Sequence, residues 1–334
     1  MFKPDYRITE HLLSLIEQIT AISSKAESRK IQFSLIARLQ SETLERNTHS
    51  STSIEGNPLS LAQVSALNRN KDIVADPRQK KEVLNYINAL RWIIKNSRRK
   101  ITKDNLLRLH SIIVKDLLSG QKAGQFKTKQ NYVINGKKIV VFTPPGPREC
   151  PELISELLEW VNRSTKTHSV IVSAIFHHQF VTIHPFSDGN GRVARAAAQW
   201  ILYQKEFDPH HILSLDDFYA QDREKYYSKI QQARDLDYDF TYWIEYVAEG
   251  MLETLKRTYS RMDKLSYSSQ GKITITPKQE ELIDLLSAYG SIGSRKLCGL
   301  LKINRARLNQ LVLPLVETKI IKREGKARAT RYYL

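Results

Sequence analysis

Two apolar stretches of helical length, 169–183 and 192–203, meet across His184-Pro-Phe-Ser-Asp-Gly-Asn-Gly, and that junction constrains the chain more than any other segment. The upstream stretch is almost wholly apolar and reads as a buried helix. Downstream, Val193, Ala197, Trp200 and Ile201 recur at helical spacing in an Ala-rich run. Pro185 cannot extend the first helix, so His184 falls at its end and Phe186 anchors the loop in the core. Asp-Gly-Asn-Gly is then a tight loop feeding a helix N-terminus, where free backbone N–H groups and the helix dipole favour anions.

The residue types in this junction suit a nucleoside triphosphate. His184 accepts a proton near neutral pH. Asp188 offers a hard oxygen to Mg²⁺. Gly189 and Gly191 allow backbone N–H groups close to phosphate oxygens. Arg192 and Arg195 neutralise phosphate charge. No Gly-x-x-x-x-Gly-Lys-Ser/Thr occurs, which excludes a Walker-type ATPase.

The run 184–195 resembles the signature of the Fic (Fido) family, His-Pro-Phe-x-Asp/Glu-Gly-Asn-Gly/Lys-Arg-x-x-Arg, at every defined position. The resemblance implies a nucleotidyltransferase that moves AMP from ATP to a Ser, Thr or Tyr hydroxyl of a target protein and releases pyrophosphate. It assigns His184 as general base, Asp188 as Mg²⁺ ligand, Asn190 and Arg192 as phosphate binders, and Arg195 as the arginine of the γ-phosphate. Kinase-like relatives carry Lys where Gly191 stands, so Gly191 favours AMP transfer. Transfer of a different phosphate-containing group stays open.

A second constellation lies upstream. Ser51 and Glu55 are four residues apart, on one face of a helix. Gly56 is a plausible stop and Pro58 prevents continuation. Ser60-Leu-Ala-Gln63 reads as a capping box opening the next helix. Glu55 therefore sits near a helix C-terminus, where the dipole disfavours a carboxylate unless a cation is near. The segment resembles the Ser/Thr-x-x-x-Glu-Gly/Asn inhibitory motif of Fic proteins. That resemblance pairs Glu55 with Arg195 and makes the chain autoinhibited.

A hairpin is expected over 131–142, with apolar strands around Asn135-Gly136. A lone hairpin must pack on a larger body. The resemblance makes it the flap, through Val133, Ile134, Asn135 and Gly136, that pairs main chain with a target segment. Gly124-Gln-Phe126-Lys127 is similar to the family's approach to the flap. Tyr226 and Tyr227 are read as core aromatics.

Most of the remaining pattern is helical: 8–23, 28–48, 60–68, 78–95, 102–118, 151–162, 224–235 and 240–263. Residues 266–271 read as a linker. Beyond it come helices at 277–289, 294–301 and 304–318 and a two-stranded wing at 320–334, the outline of a winged helix. Residues 272–334 hold thirteen Lys/Arg and five Asp/Glu, so +8 of the whole-chain +17. That density suits DNA phosphates, with Arg305 and Arg307 as candidate contacts, or a protein partner.

The fold class is therefore mostly α: a Fic-type helical core with a β-hairpin flap, plus a small C-terminal winged helix-turn-helix domain. The expected divisions are 1–100, carrying the inhibitory helix at about 48–56; a catalytic core at 101–250; a helix and linker at 251–271; and the winged helix at 272–334. Cys150 and Cys298 have no disulfide or metal spacing. No apolar run reaches about 18 residues, so no membrane partner is expected and a cytoplasmic setting is. Formation of a homodimer is left open. A different class of reading is a DNA-binding regulator whose Fic body senses nucleotide, although a sensor has no need of the base His184.

Overall fold

The computed structural model describes all residues except 28–32, 119–121, 135–138, 209, 269–274 and 326–328. Its centre is a pair of packed helices, α7 (Ser169–Ile183) and α8 (Asn190–Gln204). α7 is apolar around its whole circumference and buried along nearly its whole length. Other helices must therefore cover it on every side. α6 (Cys150–Arg163) covers one face, and α11 (Thr241–Ser268) another. Trp243 of α11 is fully buried and donates its indole N–H to Ala174 O at 2.7 Å, which satisfies its one polar atom inside the core.

The remaining helices wrap this pair. α1 (Glu10–Glu27) lies along α11, and α2 (Phe33–Ile54) lies against α4 (Pro77–Lys95) and α9 (Leu215–Gln221). α3 (Leu61–Asn68) opens with the expected capping box, Ser60 with Gln63. α5 (Lys103–Ile113) is capped by Thr102 and packs on α4 and α8, and α10 (Arg223–Asp235) packs on α11.

Three boundaries differ from the sequence reading. The segment at 48–56 is the end of the 22-residue α2, not a separate short helix; Asn47, Thr48, Ser50 and Ser51 are all buried, and burial carries the helix through this polar stretch. α5 ends at Ile113 in a turn, short of 118. α9 has no counterpart in the sequence pattern, because seven residues are too few for a periodic signal.

The hairpin is smaller than expected: β1 (Val133–Ile134) pairs antiparallel with β2 (Val140–Phe142). Asn135 and Gly136 lie outside the described residues. It does not lay an apolar face on the helices either, since Ile134, Val140 and Val141 are exposed. Its attachment is at the base, where the Arg234 guanidinium sits 3.9 Å from the Phe142 ring centre.

Past α11 the chain builds a second core. α12 (Pro277–Tyr289), α13 (Ser294–Leu301) and α14 (Arg305–Glu317) surround Leu282, Leu286, Leu297, Leu308 and Leu315. The sheet has three strands, not two: β3 (Ser291–Gly293), β4 (Lys322–Glu324) and β5 (Arg331–Tyr333), in the order β3-β5-β4, all antiparallel. α11 continues to Ser268, so the start of the expected linker is helical and the rest lies outside the described residues. Ala37 of α2 is part of this second core. Among the described residues, no helix is long and apolar enough to cross a membrane.

Candidate active site

His184 ends α7 in the left-handed conformation, φ +50°, and Pro185 behind it prevents the helix from continuing. A non-glycine residue is uncommon there and the surroundings must hold it. The holding contacts are visible. Its backbone N–H donates to Phe180 O at 3.0 Å, and its Nδ1 lies 3.1 Å from Val181 O. A carbonyl only accepts, so Nδ1 carries the proton and Nε2 keeps a lone pair. Burial pushes the imidazole pKa down to about 4, and Lys127 and Arg234 nearby act in the same direction. His184 is therefore neutral at pH 7, as a general base must be.

The loop after it is fixed from three sides. Asn190 Oδ1 accepts from Phe186 N–H at 2.9 Å while Asn190 Nδ2 donates to Phe186 O at 2.8 Å. Asn131, at the foot of the hairpin, also donates to Phe186 O, and the Lys127 N–H donates to Pro185 O. The Phe186 ring stacks on His110 at 3.7 Å. His110 itself donates from Nε2 to Asp188 O and accepts the Gly124 N–H at Nδ1. Burial lowers the His110 pKa to about 4 as well.

Gly189, at φ +81°, is the N-cap of α8 and offers no side chain to it. The first bond inside that helix runs from Val193 N–H to Gly189 O. The N–H groups of Asn190, Gly191 and Arg192 precede it, which leaves an uncapped helix start for an anion. Asp188 is half exposed beside it, with Oδ1 3.2 Å from Arg192 Nη2. Arg192 is buried and also lies 3.9 Å from Glu82 of α4. Among the described residues no cluster of three His, Cys, Asp or Glu could hold a metal. The half-exposed Asp188 carboxylate beside a phosphate cradle nevertheless fits Mg²⁺, which commonly takes one or two carboxylates plus substrate phosphates.

Arg195 faces the same loop from one turn further along α8 and is engaged by the end of α2 and by Glu55 just past it. Its Nε donates to Ser51 Oγ at 2.8 Å, and its Nη2 donates to Ser51 O at 2.9 Å and to Glu55 Oε1 at 2.7 Å. Nη1 reaches the Tyr226 hydroxyl at 3.4 Å. Burial alone disfavours this charge, but Glu55, Tyr226 and Asp216 around it more than reverse that and raise its pKa. Gly56, at φ +93°, ends the segment as expected. A Cβ at Gly191 would fall on the Glu55 carboxylate, so the loop and Glu55 are in direct steric contact.

The structure thus brings together His184, Asp188, Gly189, Asn190, Gly191, Arg192 and Arg195 with Ser51, Glu55 and Gly56. Val133 and Ile134 stand in the hairpin whose foot, Asn131, touches the loop. Arg305 and Arg307 are exposed on α14 in the second core and do not join the site. Asn190 orients the loop with its side chain: Oδ1 and one Nδ2 N–H are spent on Phe186, which leaves the second Nδ2 N–H and the backbone N–H for a phosphate. Sequence reasoning missed His110, Glu82 and Asp216, polar residues on otherwise amphipathic helices with no motif to mark them. Tyr226 is buried as read, while Tyr227 is exposed.

Residues 100–202 match the Fic/DOC family. The chain is 29% identical over 269 residues to protein adenylyltransferase fic-1 of Caenorhabditis elegans, covering 78% of this chain and 50% of that protein. It is 32% identical over 209 residues to protein adenylyltransferase Fic of Culex quinquefasciatus, covering 60% of this chain and 39% of that protein. The chain spans about half the length, or less, of these curated relatives. Among solved structures, a Fic family protein from Desulfovibrio desulfuricans G20 superposes with a TM-score of 0.69 at 24% identity, covering 100% of this chain and 98% of that one. A Fic domain containing signaling protein from Bacteroides thetaiotaomicron gives 0.64 at 19% identity, covering 76% of this chain and 97% of that one. With the helical core, the loop at 184–195 and the family match all in agreement, this chain carries a Fic/DOC family domain over residues 100–202.

Proposed function

We propose that the chain is an autoinhibited protein adenylyltransferase that transfers AMP from ATP to a Ser, Thr or Tyr hydroxyl of a target protein. The observation that carries the reading is a neutral His184, with Nε2 free, beside an uncapped helix start flanked by Arg192 and Asp188. The hydroxyl oxygen attacks the α-phosphorus, its proton passes to His184 Nε2, and the bond to pyrophosphate breaks. The N–H groups of 190–192 and the Arg192 guanidinium hold phosphate oxygens, so catalysis is chiefly positioning and charge neutralisation. Asp188 is the residue to hold Mg²⁺, whose chemistry is to offset phosphate charge. The exposed edge of β1, Val133 and Ile134, suits strand addition by an extended target segment. Autoinhibition rests on Glu55 and Ser51, which occupy the guanidinium that would otherwise meet the γ-phosphate.

The test uses ATP labelled separately at the α- and γ-phosphates, with Mg²⁺ and added cell lysate. Covalent label from the α position alone, lost in His184→Ala with the far-UV spectrum unchanged, is the expected result. Loss of the base should cost about 10²–10⁴-fold. Label from the γ position alone would make the enzyme a kinase.

We read residues 1–100, 101–250, 251–271 and 272–334 as inhibitory region, catalytic core, connector and winged helix, in a cytoplasmic setting suited to two free cysteines. A DNA-contacting role for the last unit is supported by exposed Arg305 and Arg307 at the start of α14. Arg305→Ala with Arg307→Ala should weaken retention on duplex DNA and flatten its salt dependence. Retention unchanged across salt concentrations contradicts that role.

A further inference from the structure

A cleft of about 1260 Å³ opens between the helical body and the C-terminal unit, with Gln40, Ser41 and Leu44 of α2 among its lining. Its volume suits a nucleotide-sized ligand, and junctions between units are where such sites concentrate. The distinctive feature is its charge. Arg91 and Lys95 line it from α4, and Arg295, Lys296 and Arg331 line it from the C-terminal unit. Asp284 is the single carboxylate residue among its lining.

Among the described residues, none of these five cations has an ion pair within 4.0 Å. Three of them contact neutral groups, and the buried Glu45 carboxylate also acts on Arg91. Arg91 Nη2 donates to Asn68 Oδ1 at 2.8 Å, and its buried Nε finds no hydrogen-bond partner. Arg331 is oriented by two bonds to Ser291, from Nε to Oγ and from Nη2 to the carbonyl, each 2.9 Å. Lys296 Nζ sits 4.4 Å from the Tyr289 ring centre. Gly293, also in the lining, is the N-cap of α13 and supplies no side-chain bond; the Ser294 N–H is taken by Thr330 O, and the helix start adds the positive end of its dipole.

Two like-charged walls repel unless something negative lies between them. We infer that the cleft binds a polyphosphate anion of nucleotide size, which bridges Arg91 and Lys95 of the body to Arg295, Lys296 and Arg331 of the C-terminal unit. Oriented guanidinium groups suit phosphate oxygens through paired N–H bonds. A small ligand fits better than duplex DNA, because the exposed α14 arginines that would meet a duplex do not line the cleft. The cleft is separate from the 184–195 loop, and none of that loop's residues line it. The cleft is therefore a different site from the one proposed for catalysis. From Ser41 in the cleft to Ser51 at Arg195, α2 rises about 15 Å.

The test is calorimetric titration of the full chain with inorganic pyrophosphate, with ATP and with duplex DNA, each separately. Lys95→Glu with Lys296→Glu reverses one exposed charge on each wall, and Lys95→Arg with Lys296→Arg keeps both. A binding step present in the parent and the Arg pair, but at least tenfold weaker in the Glu pair with an unchanged melting temperature, is expected. Tighter ATP than pyrophosphate adds a contact to the nucleoside; equal affinities assign recognition to the phosphates alone. Identical titrations in all three proteins would place all binding at the 184–195 loop and overturn the site. No binding of either probe at millimolar concentration would overturn it too, as would binding of duplex DNA alone.

Discussion

Arg195 on α8 and Glu55 after α2 are joined by a 2.7 Å bond across 140 residues of chain, and the guanidinium end of that bond is almost fully buried. A buried cation needs a partner, and removing one normally leaves a costly uncompensated charge. Here the cost of releasing Glu55 is limited, because Asp216 and the Tyr226 hydroxyl also surround Arg195. Glu55 itself is about one-third exposed and can move into solvent. Phosphate oxygens are natural replacements for its carboxylate at the same donors.

Gly191 ties Glu55 to the loop sterically. Gly191→Ala puts a methyl group against the Glu55 carboxylate and should loosen the Arg195 contact. Basal transfer should rise several-fold in Gly191→Ala alone, and no further rise should follow when the change is made in Glu55→Gly. Equal effects in both backgrounds would mean that the two residues act separately.

The Asn190 side chain shapes the loop through its two bonds to Phe186. Asn190→Ala orphans the buried Phe186 N–H, while Phe186 O keeps its bond from Asn131. An unsatisfied buried donor costs about 1–3 kcal/mol. A melting temperature lower by several degrees is expected, together with reduced transfer. Unchanged melting with lost ATP binding would instead assign the side chain to the nucleotide.

Stability should fall as the solution becomes acidic. Burial holds His110, His184 and His211 at about 4 and His178 at about 3, and it holds His177 well below its ordinary value. For these five, stability present above 6.5 is lost as pH falls toward 4, because only the unfolded chain takes up the proton. Burial raises Asp208 and Asp216 to about 6, and these two oppose the trend between 6 and 3.8. Among these seven groups, five against two leaves about three more protons on the unfolded chain near pH 5. Melting temperature should therefore drop steadily from pH 6.5 to 4.5. A flat profile would contradict the buried, neutral state of these histidines.

Much of the site is legible in the sequence alone. Pro185 after an apolar helix, glycines at 189 and 191, and a base with arginines at fixed offsets dictate a loop at a helix start. Ser51 and Glu55 at helical spacing before Gly56 mark the segment proposed to be inhibitory, although not the helix it belongs to. That helix passes through Asn47, Thr48, Ser50 and Ser51, whose burial depends on partners far along the chain, such as Gln199 and Asp217. His110 and Glu82 are invisible for the same reason. Their roles come from the tertiary packing of α4 and α5 against the loop, and no spacing encodes that. The exposed hairpin misleads in the opposite direction, since apolar alternation promises a buried face that the fold leaves open.

The most direct measurement compares α-phosphate label transferred by the parent and by Glu55→Gly at equal protein, ATP and Mg²⁺. A charge-assisted contact to Arg195 contributes about 1.5–3 kcal/mol. Removing Glu55 should therefore raise transfer by about ten- to a hundredfold. Equal transfer by the two proteins, with both folded, would show that Glu55 does not restrain the site and would contradict the account.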